Sequence, residues 1–332
     1  MIYKHKYLFI STFFILLPGF MHIWPTGINE RNIISLTVGY QQKFDILPFS
    51  VIQDQAYLSN MNFDFKQIPN QKIGISKLTG KEIHFFVTDI GTGINAYKDK
   101  ESIQLAFNYI WSNQKLLTKN STGKTWLTLK GASILLDKKY SLNDLQLRYF
   151  ISENEKNSNL DYTLHYDENI NNINRPIIPY IENIINTLNL DLVLIREPLA
   201  SQLKQDYNYK EIITYRKEWA KLKQEYSPMP QIVVLAEREF LKNSRFLTKR
   251  MINALRKGIS WLNLNVNHAA EIYSETVEIE PKTLTIAIEN TNFNVSKPAE
   301  SIKKTMIFLN ILNNYFDQVK NTLAVDKYFF WK

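Results

Sequence analysis

Apolar positions follow two periods along the chain. Short runs rich in β-branched and aromatic residues, at 33–38, 83–87, 134–136, 192–195 and 232–235, are bounded by polar or turn-forming residues and read as buried strands. Between them apolar residues recur every three or four positions. Ile177, Ile178, Ile181, Ile184, Ile185 and Leu188 follow Pro176, a residue suited to a first helical turn, and lead into the run at 192–195. Leu247, Met251, Leu255, Ile259 and Leu262 form a second helical stripe. Ile302, Met306, Leu309, Leu312 and Phe316, after Pro298, form a third. Strands alternating with helices predict an α/β fold, in which ligands bind at the carboxyl ends of strands, where loops meet helix N-termini.

The first residues have a different pattern. Lys4, His5 and Lys6 precede an apolar run at 7–17, which Pro18-Gly19 breaks before a polar stretch at 26–32. Basic residues, a short apolar run and a helix-breaking exit are the order of a secretory signal. About 11 residues make roughly 16 Å of helix, short of a ~30 Å hydrocarbon core. Extended to Trp24, the run reaches about 18 residues, the lower bound for a membrane span. Residues 1–24 are therefore expected to be a signal peptide or, with no small-x-small cleavage pattern in view, an uncleaved N-terminal anchor. No later segment is long and apolar enough to cross a bilayer.

Composition narrows the chemistry. A chain of 332 residues with 45% hydrophobic and 22% charged side chains has the makings of a globular protein of two domains or one large one. The 10 glycines are less than half the usual share of ~7%, so phosphate-cradling loops are scarce. With no cysteine there is no thiol catalysis, thiolate metal site, disulfide or lipoprotein anchor. Of the net charge of +8, Lys4 and Lys6 carry two in the leader. The basic residues Arg245, Lys249, Arg250, Arg256 and Lys257 alternate with the second apolar stripe, which makes them the solvated face of an amphipathic helix; nucleic acid is not an expected partner.

Motifs for catalysis or metals are absent. The five histidines include no HxxxH or HxH pair, and His84 reads as a packed or edge-strand residue. Gly123-Lys124-Thr125 lacks the upstream glycine of a phosphate loop and reads as a surface turn. Gly91-Thr92-Gly93 lacks the third glycine of a dinucleotide fingerprint, and there is no GxSxG. No catalytic residue, cofactor or metal is expected.

Several stretches, in order, resemble the solute-binding proteins of ABC importers, in the nitrate/sulfonate/taurine group that also includes thiamine-precursor binders. Residues 34–40 followed by Leu47-Pro48 resemble that family's opening strand and first ligand loop; 82–88 and 91–95 its second strand and loop. Residues 129–134 are similar to its "DLKGKKI" entry to the second lobe, and 144–149 to the helix after its ligand loop. The strongest likeness is residues 191–200 to the segment "DAAVLPEPLA", followed by Glu218-Trp219 and Pro230-Gln231 at fitting distances. Phe240, the helix to Trp261, Ala269-Ala270-Glu271 and the C-terminal helix extend the resemblance over about 33–332.

The resemblance implies a type II periplasmic-binding-protein fold of two α/β lobes, with crossings near Lys119 and Met229. Lobe one would be 30–118 with 229–332, and lobe two 119–228. It implies a receptor, and no enzyme, that closes by a hinge around a small solute, anionic or aromatic, and docks as a monomer on permease subunits. The family's ligand positions fall on Tyr40, Gln41 and Phe44; on Thr88, Gly91, Thr92 and Gly93; on Trp111 and Ser112; on Ser141 and Asn143; and on Arg196 and Glu197. Hydroxyls and N–H groups at helix starts suit an anion or polar group, and aromatic rings supply flat walls. The same residues admit a structural reading: Tyr40 and Phe44 as core, Ser141 as an N-cap, Arg196 and Glu197 as a surface pair. Two places depart from the family pattern: 137–140 stands where a small Gly-rich turn is usual, and Arg196 where an apolar residue or Pro is. Two other classes fit the scaffold. One is a cytosolic synthase of the thiamine-precursor type using pyridoxal phosphate and histidine, and the other a membrane-tethered sensory module.

Overall fold

The computed structural model describes residues 33–119, 129–155, 161–171, 177–222, 229–315 and 325–331. The leader at 1–24, the turn at 123–125, Pro176 and Phe316 lie outside the described residues. The chain runs through β1 (Ile34–Tyr40), β2 (Met61–Gln67), β3 (Phe85–Asp89) and β4 (Ile103–Trp111) in one sheet. It continues through β5 (Gln114–Thr118), β6 (Ala132–Leu136), β7 (Tyr162–Tyr166), β8 (Leu192–Arg196) and β9 (Lys210–Thr214) in a second. It then returns to the first with β10 (Pro230–Glu237) and β11 (Asn292–Ser296). The spatial orders are β11-β4-β10-β3-β1-β2 and β7-β6-β8-β5-β9.

Helices fill the intervals: α1 (Leu47–Asp54), α2 (Gln71–Thr79), α3 (Ile90–Asp99), α4 (Leu142–Glu155), α5 (Ile177–Thr187) and α6 (Leu199–Asp206). They are followed by α7 (Tyr215–Leu222), α8 (Arg238–Asn243), α9 (Arg245–Leu264), α10 (Val266–Val277), α11 (Pro281–Asn290) and α12 (Pro298–Tyr315). Parallel pairs β1–β3, β6–β7 and β6–β8 need such crossovers, since no hairpin turn can join parallel neighbours. The central strands are apolar on both faces because helices cover both, as in Phe85-Phe86-Val87 of β3. All five runs expected to be strands fall on strands, and the three expected helices are the helices α5, α9 and α12.

Each sheet receives one strand that has just crossed from the other. β5 enters the second sheet antiparallel to β8 and β9, and β10 enters the first antiparallel to β3 and β4. The first crossing is therefore at Ser112-Asn113, and β5 belongs with the second sheet rather than with lobe one as expected from 30–118. Its partners decide this, since Leu116 pairs with Leu194 and Ile213 on either side. The return crossing at Met229 lies against the first. Ser112 N–H donates to the Met229 carbonyl at 3.0 Å, and Met229 N–H to Ser112 Oγ at 2.9 Å.

Three apolar cores result. One fills the face of the first sheet under α1, α9, α10 and α11, and another the face of the second sheet under α5 and α6. The third joins both sheets: Phe86, Ile94 and Leu105 of the first are continuous with Leu116, Leu145, Phe150 and Trp219 of the second. α12 ties this core together. Its start is fixed to the first sheet by Asn108 Nδ2, which donates to Ser301 Oγ (2.6 Å) and Thr305 Oγ1 (3.2 Å). Its far half packs Phe308 on Trp219 and Tyr315 on Tyr149. α12, within the stretch 229–332 expected in lobe one, thus packs against both sheets.

The apolar stripe of α9 is buried at Met251, Leu255, Ile259 and Leu262, with Arg245, Lys249 and Lys257 exposed on the other side. His84 sits just before β3, where its Nδ1 accepts the Thr37 N–H at 2.9 Å. Among the described residues no helix is long and apolar enough to cross a membrane.

Candidate functional site

A cleft of about 470 Å³ lies between the carboxyl ends of strands from both sheets. The first sheet contributes Gln41, Gln42 and Asp45 after β1, Thr88, Asp89, Gly91 and Thr92 at the β3–α3 junction, and Gln231 from β10. The second contributes Gln114 from β5, residues 137–143 between β6 and α4, and Arg196 at the end of β8.

Of the residues expected to hold a ligand, Gln41, Thr88, Gly91, Thr92, Ser141, Asn143 and Arg196 are brought together here. Tyr40, Phe44, Gly93, Trp111, Ser112 and Glu197 are not. Tyr40 and Phe44 are buried in the core under α1, where Phe44 meets Phe293 with ring centroids 5.4 Å apart. Trp111 is buried too, its indole N–H donating to the Asn294 carbonyl at 2.7 Å. Gly93 faces β10, where an added Cβ would stand 2.9 Å from Leu235 Cδ2. Ser112 is committed to the crossing, with φ of +53°. Glu197 caps the first turn of α6, accepting the Ser201 N–H at 3.0 Å, and burial raises its carboxyl above the usual range against the pull of Ser201, Lys115 and Lys204. The cleft therefore lacks the expected aromatic walls. Tyr140 is the ring that reaches it, and it is exposed.

The polar groups are held by one another. Asp89 is the N-cap of α3: Oδ1 accepts the Thr92 N–H at 2.8 Å, and Oδ2 accepts Thr92 Oγ1 and Gln71 Nε2, each at 2.6 Å. Across the cleft, Asp137 accepts from Lys138 N (2.8 Å), Ser141 Oγ (2.9 Å) and Asn143 Nδ2 (3.0 Å). Ser141 Oγ in turn caps α4 by accepting the Asp144 N–H at 3.2 Å, as the structural reading had it. Gln114 Nε2 donates to Asn143 Oδ1 at 2.9 Å and fixes that amide.

Arg196 does not pair with Glu197. Its guanidinium donates two hydrogen bonds, of 2.8 and 3.0 Å, to the two oxygens of Asp45, which stands on the 3₁₀ turn Lys43–Ile46. This fork joins the sheets across the cleft and is nearly enclosed: Asp45 is 1% exposed. Burial raises the Asp45 carboxyl, opposed by the charge and hydrogen bonds of Arg196. Gln231 is also buried. Its Oε1 accepts the Asn113 N–H, and its Nε2 has no hydrogen-bond partner among the described residues.

Sequence reasoning missed Asp45, Asp89, Gln114 and Gln231 as site residues, and treated 137–140 only as an irregular turn. Asp89 carried a usable signal, since Asp three residues before a threonine at the end of an apolar run marks an N-cap. Asp45 and Gln231 carried none, because their place in the cleft depends on how distant segments meet.

No protein-family model matches the sequence, and no curated protein is similar to it at the level of sequence. Solved structures are similar in fold. The alkanesulfonate-binding protein SsuA from Xanthomonas axonopodis pv. citri, bound to MOPS, superposes with a TM-score of 0.66 at 14% identity, covering 90% of this chain and 98% of its own. The periplasmic aliphatic sulphonate binding protein SsuA from Escherichia coli gives 0.65 at 14% identity, over 86% of this chain and 92% of its own. A Candida albicans gene product with the generic periplasmic binding protein structural fold gives 0.58 at 16% identity, over 89% and 93%. The chain has the periplasmic-binding-protein fold of two α/β lobes.

Proposed function

We propose that this chain is an exported solute-binding receptor of an ABC importer, which captures one small solute between its lobes and delivers it unchanged to membrane permease subunits. The observation that supports it is the cleft itself. Polar side chains converge from the strand ends of both sheets, and the two crossings lie side by side at Ser112 and Met229, where a change of a few backbone dihedrals can close the lobes. We place the lobes at 33–112 with 230–297, and 113–229, with α12 spanning both. Residues 1–24 act as signal peptide or anchor in this reading, and the receptor works as a monomer without a cofactor.

A thermal-shift and calorimetry screen of small solutes tests the reading. A solute that binds the native state alone adds RT ln(1 + [L]/Kd), about 2.7 kcal/mol at a hundredfold excess over Kd. The complex should be more compact in solution scattering, and the solute should be recovered intact. Chemical conversion of the solute would replace receptor by enzyme, and a scattering radius unchanged on loading would remove hinge closure. Export is checked separately, by fusing the chain to a reporter active only outside the cytoplasm. An inactive reporter would sink the exported role.

A further inference from the structure

We infer that the cleft is built for a small organic cation, an amine or amidinium carrying a hydrogen-bond acceptor, held between Asp89 and Asp137, and that it rejects sulfonates and other anions. This rests on the receptor reading and names its solute class.

Three features of the cleft could in principle take an anion, and the chain has filled each with its own side chains, two of them directly with a carboxylate. The N-terminus of α3 is capped by Asp89, whose Oδ1 takes the Thr92 N–H. The N-terminus of α4 is closed by Ser141, itself bound to Asp137. The guanidinium of Arg196 is engaged by both oxygens of Asp45. A sulfonate would have to displace Asp89, the Asp137-bound Ser141 or the buried Asp45, and would in each case stand beside a carboxylate that is at least partly shielded from water, an arrangement that costs free energy. Lys138 and Lys139 also line the cleft, but both are exposed to solvent.

The carboxylates are not saturated. An ionised carboxylate offers about four lone-pair positions. Asp89 uses three and Asp137 three, so each keeps one for an incoming donor. They come from different lobes and repel one another: burial raises the Asp137 carboxyl first, and the charge of Asp89 adds to it against the hydrogen bonds of Lys138, Ser141 and Asn143. A cation with two N–H groups would answer both and draw the lobes together.

A second observation points to the rest of the solute. Gln231, 3% exposed, lines the same cleft, and its Nε2 is a donor with no partner among the described residues. The amide cannot be turned round to hide it, because Oε1 is needed by the Asn113 N–H. That donor asks for an acceptor on the ligand, such as a ring nitrogen, carbonyl or hydroxyl. A bare metal ion supplies no acceptor, and one free lone pair on each carboxylate is too few for its coordination shell.

Isothermal titration of the purified protein tests this with 3-(aminomethyl)pyridine and glycinamide as amine probes. Propane-1-sulfonate serves as the anion, and calcium and zinc as metal controls. The amines should bind, and the sulfonate and metals should not compete with them. Asp89→Asn and Asp137→Asn should each weaken amine binding about ten- to a hundredfold, the range for losing a hydrogen bond to a charged group. Thermal unfolding of both variants, run in parallel, shows that the fold persists. Gln231→Leu, with its fold checked in the same way, should weaken the two amines by a larger factor than it weakens a plain alkylamine that carries no acceptor. The inference is overturned if the sulfonate or a metal binds more tightly than the amines, if the amines ignore both Asp substitutions in folded protein, or if neither amine binds. A sulfonate that binds and compacts the protein would leave the receptor reading standing. The receptor reading falls separately, if the broad solute screen yields no ligand or if a bound solute is chemically converted.

Discussion

Removing the guanidinium of Arg196 would leave Asp45 as an enclosed carboxylate with its charge unanswered. Breaking a buried pair from one side costs about 3–5 kcal/mol, whereas replacing both partners with apolar residues of similar size is often neutral. Arg196→Ala should therefore lower stability by about that amount in urea unfolding, and Asp45→Leu with Arg196→Met should recover most of it. The pH dependence has a definite sign. Burial raises the folded-state value of Asp45 even with Arg196 present, so its favourable contribution is complete below its unfolded value and is lost as pH rises through the raised one. The Arg196→Ala deficit should be largest near neutrality and shrink in acid. Glu211 behaves oppositely. Burial pushes it up, but the Thr214 hydrogen bond and the charges of Lys115 and Lys204 outweigh this and bring it down to about 2. Its contribution is present above its ordinary value of 4.5 and is lost as pH falls toward 2, so Glu211→Gln should destabilise at pH 7 and match the parent at the acid end. Legibility at this scale was uneven. Arg196 stood out in the sequence because it stands where the resembled family has an apolar residue or Pro, but its partner lies 151 residues away and no local pattern announces it.

Among the elements, α2 shows how a helix is fixed by its ends and by one close approach. Asn70 caps it by accepting the Ile73 N–H at 2.9 Å, and Asn70→Ala should cost about 1 kcal/mol. Gly74 lies on the ring of Phe86: an added Cβ would fall 2.2 Å from Cζ, inside the fully buried core behind β3. Gly74→Ala should cost about 1–3 kcal/mol by overpacking, despite the better helix propensity of alanine, and chemical unfolding of the two variants would rank them. Helices with one long apolar stripe, α5, α9 and α12, were legible, as were the central strands β3, β8 and β10. The short strands β5 and β9 were not, because Gln114-Lys115 and Lys210-Glu211 break their apolar pattern. Lys115 is nonetheless buried, answered by Glu211 at 3.3 Å. The pairing of β5 with β8 and β9, which sets the passage between the sheets at Ser112-Asn113, is a tertiary fact rather than a local one.

For the whole molecule, the resemblance in sequence fixed the two-lobed plan, while the contents of the cleft differ from those it implied. The expected aromatic walls went into the core, and the loops expected to receive an anion carry acids. The crossings are sensitive to small changes. Ser112→Ala would deprive the buried Met229 N–H of its acceptor, at about 1–3 kcal/mol, and loosen the two strands from each other. Scattering of that variant without solute should show a larger radius than the parent. α12 sets a further limit. A hinge made of two adjacent strands alone would let the halves gape like a jaw, but a helix pinned at Asn108 on one side and at Trp219 on the other works as a tie rod. It resists stretching along its length, so any closing of the halves about the two crossings has to turn around that rod without lengthening it.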